Sequence, residues 1–256
     1  MITDTNVNIS RWPFRRLNGD EPQVLVAKLR ARQVTQAWAG SYDGLLHRDI
    51  AAVNARLAVD CSRYGSGFLL PFGSINPTLP DWREDVRRCA EDHHMRGIRL
   101  HPNYQGYKLG DPAFAELLHM AAARNLLLQI AVSMEDTRTQ HPLVRVPPVD
   151  ITALPQLMRT EASAKVLLLN WTPALKREQL RPFAEAGIYF DIAMAEGVEG
   201  VARLVSDASA ERVLFGSNFP FFYLEAALLK MEESGLPEAK KSMIRDGNAR
   251  RILGAK

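Results

Sequence analysis

Short apolar runs, each followed by a longer amphipathic stretch, recur eight times along this 256-residue chain. The runs are residues 2–9, 34–39, 68–76, 97–101, 126–132, 165–170, 187–192 and 212–217. Several are almost wholly apolar, as in VLLLN at 166–170 and NLLLQIAV at 125–132. Strands covered by helices on both faces of a parallel sheet read this way, because neither face meets water. Between the runs the spacing predicts helices over 22–32, 49–64, 81–93, 111–124, 151–161, 176–186, 198–208 and 222–234, with a last one near 238–253. The order strand then helix, eight times over, selects an α/β fold with a parallel sheet. The reading is a single-domain (β/α)8 TIM barrel over 1–256, a fold that takes about 250 residues. A doubly wound open sheet is the alternative. Even spacing and the lack of a glycine-rich phosphate loop favour the barrel.

Charge excludes some classes of function. The net charge is +3, from 32 basic and 29 acidic residues, with no long Lys/Arg block. Nothing here is the footprint of a nucleic-acid binder. No apolar run approaches the roughly 20 residues of a membrane helix. The N-terminus has no apolar signal core, and two cysteines, Cys61 and Cys89, make no disulfide framework. A cytoplasmic protein with a small-molecule ligand is the expectation. Barrels of this kind often pair, so a homo-oligomer is a further one.

In a (β/α)8 barrel the chemistry sits at the C-terminal ends of the strands. Those positions hold Asn6, Asn8, Trp38, Asn76, His101, Gln129, Asn170 and Asn218. A buried amide with no partner costs about 1–3 kcal/mol. So many amides at one mouth imply either a mutual network or a polar ligand. His101 is the one histidine at a strand end, read either as a general acid/base or as a structural imidazole. In HPNYQGY, which begins at His101, Asn103, Tyr104 and Tyr107 are placed to overhang the mouth. The longest irregular connection, 133–148, contains MEDTRTQHP. It offers Glu135 as an acid, Arg138 as an anion clamp and His141 as a second imidazole. The RWPFRR segment after the first run sets Trp12 and Phe14 beside Arg15 and Arg16, which suits a planar anion. His47 is a weaker candidate. Asp49 reads as a helix N-cap, and Asp4 as a structural hydrogen-bonding residue below the mouth.

Five segments carry a family resemblance: DTNVNIS at 4–10, GIRLHP at 97–102, VLLLNWTP at 166–173, VLFGSNFP at 213–220 and GNARRILG at 247–254. Together they resemble the amidohydrolase superfamily, in its amidohydrolase-related branch. That resemblance implies a (β/α)8 barrel and hydrolysis of amide or lactone bonds. For this branch it also implies decarboxylation of unsaturated acids. It implies a divalent metal bound by a histidine pair on strand 1, a histidine on strand 6, and an aspartate on strand 8 that is metal ligand or general base. Here Asn6, Asn8, Asn170 and Asn218 stand in those places, and strand 5 offers Gln129 or Ala131. Asparagine is a poor zinc ligand and has no basicity. The expectation is therefore an amidohydrolase-like hydrolase that cleaves an amide, a lactone or a related C–C bond of a small polar or carboxylate substrate, with no cofactor and with acid/base chemistry by His101 or His141. Two alternatives stand beside it. One is a noncatalytic ligand-binding cup. The other is a hydrolase with one divalent metal, such as zinc, relocated to His101, His141, Glu135 and Asp136.

Overall fold

The computed structural model describes residues 1–136, 138–172 and 174–254. Its strands are β1 (Thr3–Ile9), β2 (Gln36–Ser41), β3 (Leu69–Ser74), β4 (Gly97–Leu100), β5 (Leu127–Ala131), β6 (Lys165–Leu169), β7 (Tyr189–Asp191) and β8 (Val213–Leu214). They lie in sequence order in one sheet, and every neighbouring pair is parallel. The sheet closes on itself where Thr5 N donates to Phe215 O (2.9 Å) and Asn8 N to Phe219 O (3.0 Å). The predicted (β/α)8 barrel is the fold that forms.

The helices cover the outside. They are α1 (Pro22–Ala31), α2 (Ile50–Gly65), α3 (Trp82–Arg87, continued by a π turn to Asp92), α4 (Pro102–Gln105), α5 (Pro112–Ala123), α6 (Leu154–Thr160), α7 (Leu180–Glu185), α8 (Gly200–Ala208) and α9 (Leu224–Glu232). Asp49 caps α2 by accepting from Ala52 N at 3.0 Å. Alternate strand residues, such as Val7, Ile98, Leu128, Ile130, Leu168 and Phe190, pack outward against these helices in the main core.

The other strand face fills the barrel in layers. The floor is apolar: Trp38, Phe72, Leu127, Leu167, Leu169 and Leu214. It is sealed from below by α11 (Asn248–Leu253), which follows α10 (Glu238–Ser242) through a π turn. Ala249, Ile252 and Leu253 of α11 belong to that floor cluster. Asn248 anchors the helix by donating to Ala210 O (2.7 Å) and Val213 O (2.8 Å). Above the floor the lining turns polar.

The last two strands are shorter than their apolar runs suggest. After Leu214 the chain leaves the ladder, because Phe215 N donates to Ile244 O (2.9 Å). Asn170 and Asn218 take left-handed conformations, with φ of 53° and 56°. Asparagine tolerates that region better than most residues, and Asn170 turns the chain directly after β6, while Asn218 lies four residues beyond β8.

Candidate active site at the barrel mouth

The polar lining begins with Arg99 on β4, which is 1% exposed. Its guanidinium uses all five N–H groups. Nε donates to Gln129 Oε1 (2.8 Å) and Nη1 to Val7 O (2.7 Å) and Asn8 Oδ1 (2.8 Å). Nη2 donates to Thr5 O (3.3 Å) and Trp38 O (3.1 Å). Burial pulls its pKa down to about 10, which leaves it charged at neutral pH. Gln129 completes the layer by donating to Thr5 O (2.8 Å). Gln129 and Ala131, two residues apart on β5, both face inward: Gln129 reaches Arg99, and Ala131 packs nearer the mouth.

A second network runs across β1, β6 and β7. Asn6 Nδ2 donates to Asp191 Oδ2 (2.7 Å) and to Asn170 Oδ1 (3.0 Å). Asn170 N donates to Asp191 Oδ1 (3.1 Å), and Asn170 Nδ2 to Ser133 O (2.8 Å). Burial outweighs those hydrogen bonds and raises the Asp191 carboxyl to about 7. Asp4 has the structural place expected of it. It accepts from Ser217 Oγ (2.5 Å), Ser217 N (3.0 Å) and Asn6 N (3.1 Å), and burial raises it to about 6.

Above these layers several polar atoms have no partner among the described residues. They are both ring nitrogens of His101, the Asn218 carbonyl oxygen, the Tyr42 hydroxyl and the Trp12 indole N–H. Asn218 Nδ2 is tied to Met134 O (3.1 Å). Burial, and next to it the Arg99 charge, lowers His101 to about 3, so its imidazole is neutral. Trp12 roofs the mouth. Its ring meets Phe14, Tyr42, Tyr104 and Phe221 edge-on, at centroid distances of 5.2, 5.3, 6.2 and 4.7 Å. At the rim Arg15 Nη1 pairs with the buried Glu135 carboxylate at 2.6 Å.

The structure thus gathers Asn6, Asn8, His101, Gln129, Asn170 and Asn218 in the barrel interior, with Tyr104, Arg15 and Glu135 around the opening. It does not gather the rest. Tyr107 packs in the apolar layer outside the barrel, because its place in the chain points it at the helices. Arg16 is spent on Asp20 (2.7 and 2.8 Å) and Glu21 (2.9 Å). Asn103 Nδ2 donates to Pro147 O. Arg138 pairs with its near neighbour Asp136, with 85% of its side chain exposed. His47 and His141 are exposed. The relocated metal site expected at His101, His141, Glu135 and Asp136 therefore does not assemble.

Three interior residues escaped the sequence reading: Arg99, Asp191 and Tyr42. Arg99 carried a signal, a cation within an otherwise apolar strand and two residues before His101, hence on the same face. Asp191 carried one too, as a charge closing the seventh apolar run.

A closed eight-stranded barrel with a polar mouth at its C-terminal end is the architecture of the amidohydrolases. The family model described as Amidohydrolase (amidohydrolase-2) matches residues 8–255, and the chain belongs to that family. None of the curated proteins compared with it by sequence matches. Solved structures share the fold. A 5-carboxyvanillate decarboxylase from Sphingomonas paucimobilis is 12% identical, with a TM-score of 0.78 over 100% of this chain and 99% of that one. A dihydroxybenzoic acid decarboxylase from Polaromonas, with bound manganese and the inhibitor 2-nitroresorcinol, is 12% identical, with a TM-score of 0.75 over 99% and 96%. A 5-carboxyvanillate decarboxylase from Novosphingobium aromaticivorans, complexed with manganese and 4-hydroxy-3-methoxy-5-nitrobenzoic acid, is 11% identical, with a TM-score of 0.76 over 99% and 96%.

These structures correct one expectation. The amides at the ligand positions suggested an enzyme with no cofactor, yet similar barrels hold manganese. Asn8 Oδ1 is taken by Arg99 and Asn170 Oδ1 by Asn6. No group of three His, Cys, Asp or Glu able to hold a metal occurs among the described residues. As folded, the set does not fit manganese, and no step below passes through a metal.

Proposed function

We propose that the chain is an enzyme that decarboxylates a small, planar, unsaturated or aromatic carboxylate at the barrel mouth. The observation that carries this reading is that His101 and Asn218, both buried, have polar atoms without partners among the described residues, in a barrel interior that also holds the buried Arg99 cation. Buried polar atoms without partners cost about 1–3 kcal/mol each, a cost that a polar ligand removes. The shared fold of the decarboxylases adds analogy.

The chemistry follows from the environment. Hydrolysis needs an activated water, and the unpaired groups beside the cluster of five rings are His101, the Asn218 carbonyl, the Tyr42 hydroxyl and the Trp12 indole, with no carboxylate among them. Decarboxylation needs the reverse: a carboxylate stripped of water. The C–COO⁻ bond breaks, its electron pair stays on the conjugated carbon, and CO2 leaves. That carbon then takes a proton. His101 is the group for that transfer, since His141 lies in solvent. Neutral in the free enzyme because of burial and the Arg99 charge, it takes up one proton from solvent together with the bound anion, which favours the imidazolium, and passes that proton to the carbon, returning to the neutral form. Asn218 Oδ1 and the Tyr42 hydroxyl orient the ligand. The Trp12 roof keeps water out.

The test is a panel of aromatic and unsaturated carboxylates alongside amides and lactones, each with and without added manganese, read by CO2 release and by hydrolysis. CO2 from a carboxylate is expected. Hydrolysis of an amide or lactone instead would overturn decarboxylation, and tight binding without any turnover would favour the noncatalytic cup. On an active substrate, His101→Gln should lower kcat by about 10²–10⁴-fold with the fold intact by circular dichroism. Unchanged turnover would remove His101 from the reaction.

A further inference from the structure

The segment that follows β5 reaches across the mouth. The eight strands lie in sequence order around the barrel, so β8 stands three places from β5, and β1 stands opposite it. Ser133, Met134 and Glu135 are tied in turn to the end of β6, to the chain after β8 and to the chain after β1. Ser133 O accepts from Asn170 Nδ2 (2.8 Å) and Met134 O from Asn218 Nδ2 (3.1 Å). Glu135 Oε2 pairs with Arg15 Nη1 at 2.6 Å. The Met134 side chain is 3% exposed and packs in the cluster of Trp12 and Tyr42. The Glu135 charge is felt by Tyr42 and by Tyr104. Two of the strand-end amides thus spend their N–H groups on the chain's own backbone.

The ties are of a kind that can be undone. The β5–β6 ladder ends where Val132 N donates to Leu169 O (3.0 Å). Among the described residues, no backbone-to-backbone hydrogen bond outside helices and strands uses 133–135. Side chains fasten the segment instead, and segments held this way open at low cost. Arg15 is the fastener that reaches solvent, with 40% of its side chain exposed against 5% for Glu135. Its guanidinium also lies over the Phe221 ring, 5.8 Å from the centroid, which joins the segment to the ring cluster. Without Arg15 the Glu135 carboxylate is buried and unpaired, a strain relieved by letting it out to water. We propose that residues 133–135 are an autoinhibitory strap: in the resting chain they occupy the amides at the strand ends, Arg15 on Glu135 fastens them, and release of that pair opens the site. The inference rests on the mouth being the ligand site, and not on the reaction run there.

Hydrogen peroxide is the probe, applied to the full chain with no ligand, because a methionine thioether becomes the sulfoxide only where the oxidant reaches it. Oxidation rates at Met134 and Met231 are read by mass spectrometry of their peptides. Met231 is 1% exposed on α9, in the main core, and reports unfolding of the barrel as a whole. Arg15→Gln should speed oxidation of Met134 by at least ~10-fold and leave Met231 unchanged. Arg15→Lys keeps the charge and should stay within ~3-fold of the wild type. Equal Met134 rates in the wild type and Arg15→Gln overturn the proposal. A parallel rise at Met231 overturns it too, since the pair then holds the fold and not a strap. Should Arg15→Gln not fold, Asn218→Gly decides. It removes the bond to Met134 O at a position whose φ of 56° suits glycine, and it should speed Met134 and spare Met231. An unchanged Met134 rate there sinks the idea. Failure of the decarboxylase reading looks different: no CO2 from any carboxylate, with these oxidation rates as expected.

Discussion

At the scale of single residues, the interior of this barrel is a problem in solvation. Asp191 shows it best. Its carboxyl is fully buried on β7 between Asn6 and the backbone of Asn170, and burial lifts it from the ordinary 3.8 to about 7. The linkage has a definite sign. Below pH 4 the group is protonated in both folded and unfolded chains. Between pH 4 and 7 the folded chain keeps a proton that the unfolded chain has released, so stability falls as pH rises. Above about pH 7 the contribution is gone. Asp191→Asn stays neutral at every pH and removes this slope. Urea unfolding at intervals from pH 4 to 8 should show the wild type losing ground to the variant steadily with rising pH. Parallel curves would mean that Asp191 is already ionised in the folded chain at low pH.

At the scale of elements, the sequence was most legible where apolar periodicity and strand geometry agree. The eight runs became eight strands because each places one apolar face against the helices. Legibility failed at the ends of β7 and β8, which are shorter than their runs; after β8 the Phe215 N–H goes to Ile244 O instead of the ladder. In the loops, charge spacing misled. Arg16 and Arg138 looked like anion clamps, yet a carboxylate two to five residues away captured each. The mouth was half legible: strand-end amides follow from period-2 alternation, but their partners lie up to 185 residues away. The last predicted helix, near 238–253, forms as α10, a π turn and α11. α11 closes the floor with Ile252 and Leu253, which are 3% and 8% exposed. Ile252→Ala leaves a cavity against the aliphatic and aromatic floor, at a cost of about 2–4 kcal/mol. A fall in the urea midpoint with an unchanged slope is the expected reading, and a change below about 1 kcal/mol would show that α11 is not part of the cooperative core.

At the scale of the whole molecule, the barrel separates a stable floor from a mouth that must open. No helix among the described residues is long and apolar enough to cross a membrane. The floor is held by apolar packing on every side, and its backbone hydrogen bonds lie within strands. The mouth is held by less. The segment 10–20 is tied down by the Trp12 ring contacts, by the Arg15–Glu135 pair and by Arg16 on Asp20. Among the described residues of the loop after β5, Val149 N donates to Val132 O (2.9 Å), and Leu143 stands 88% exposed. His101 and Asn218 are 1% and 0% exposed, so a ligand that reaches them requires the mouth to open. Local opening energies track buried contacts, so both mouth segments should exchange their amide hydrogens well before the strands do. Binding of a carboxylate must then close the roof over it. Hydrogen exchange read by mass spectrometry should show 10–20 and 133–150 becoming protected with saturating 4-hydroxybenzoate, while peptides from β5, β6 and α11 stay unchanged. Protection confined to a surface away from these two segments would place the ligand elsewhere and detach the roof from function. Equal protection throughout would mean that the ligand stabilises the barrel as one unit, with no separate opening of its mouth.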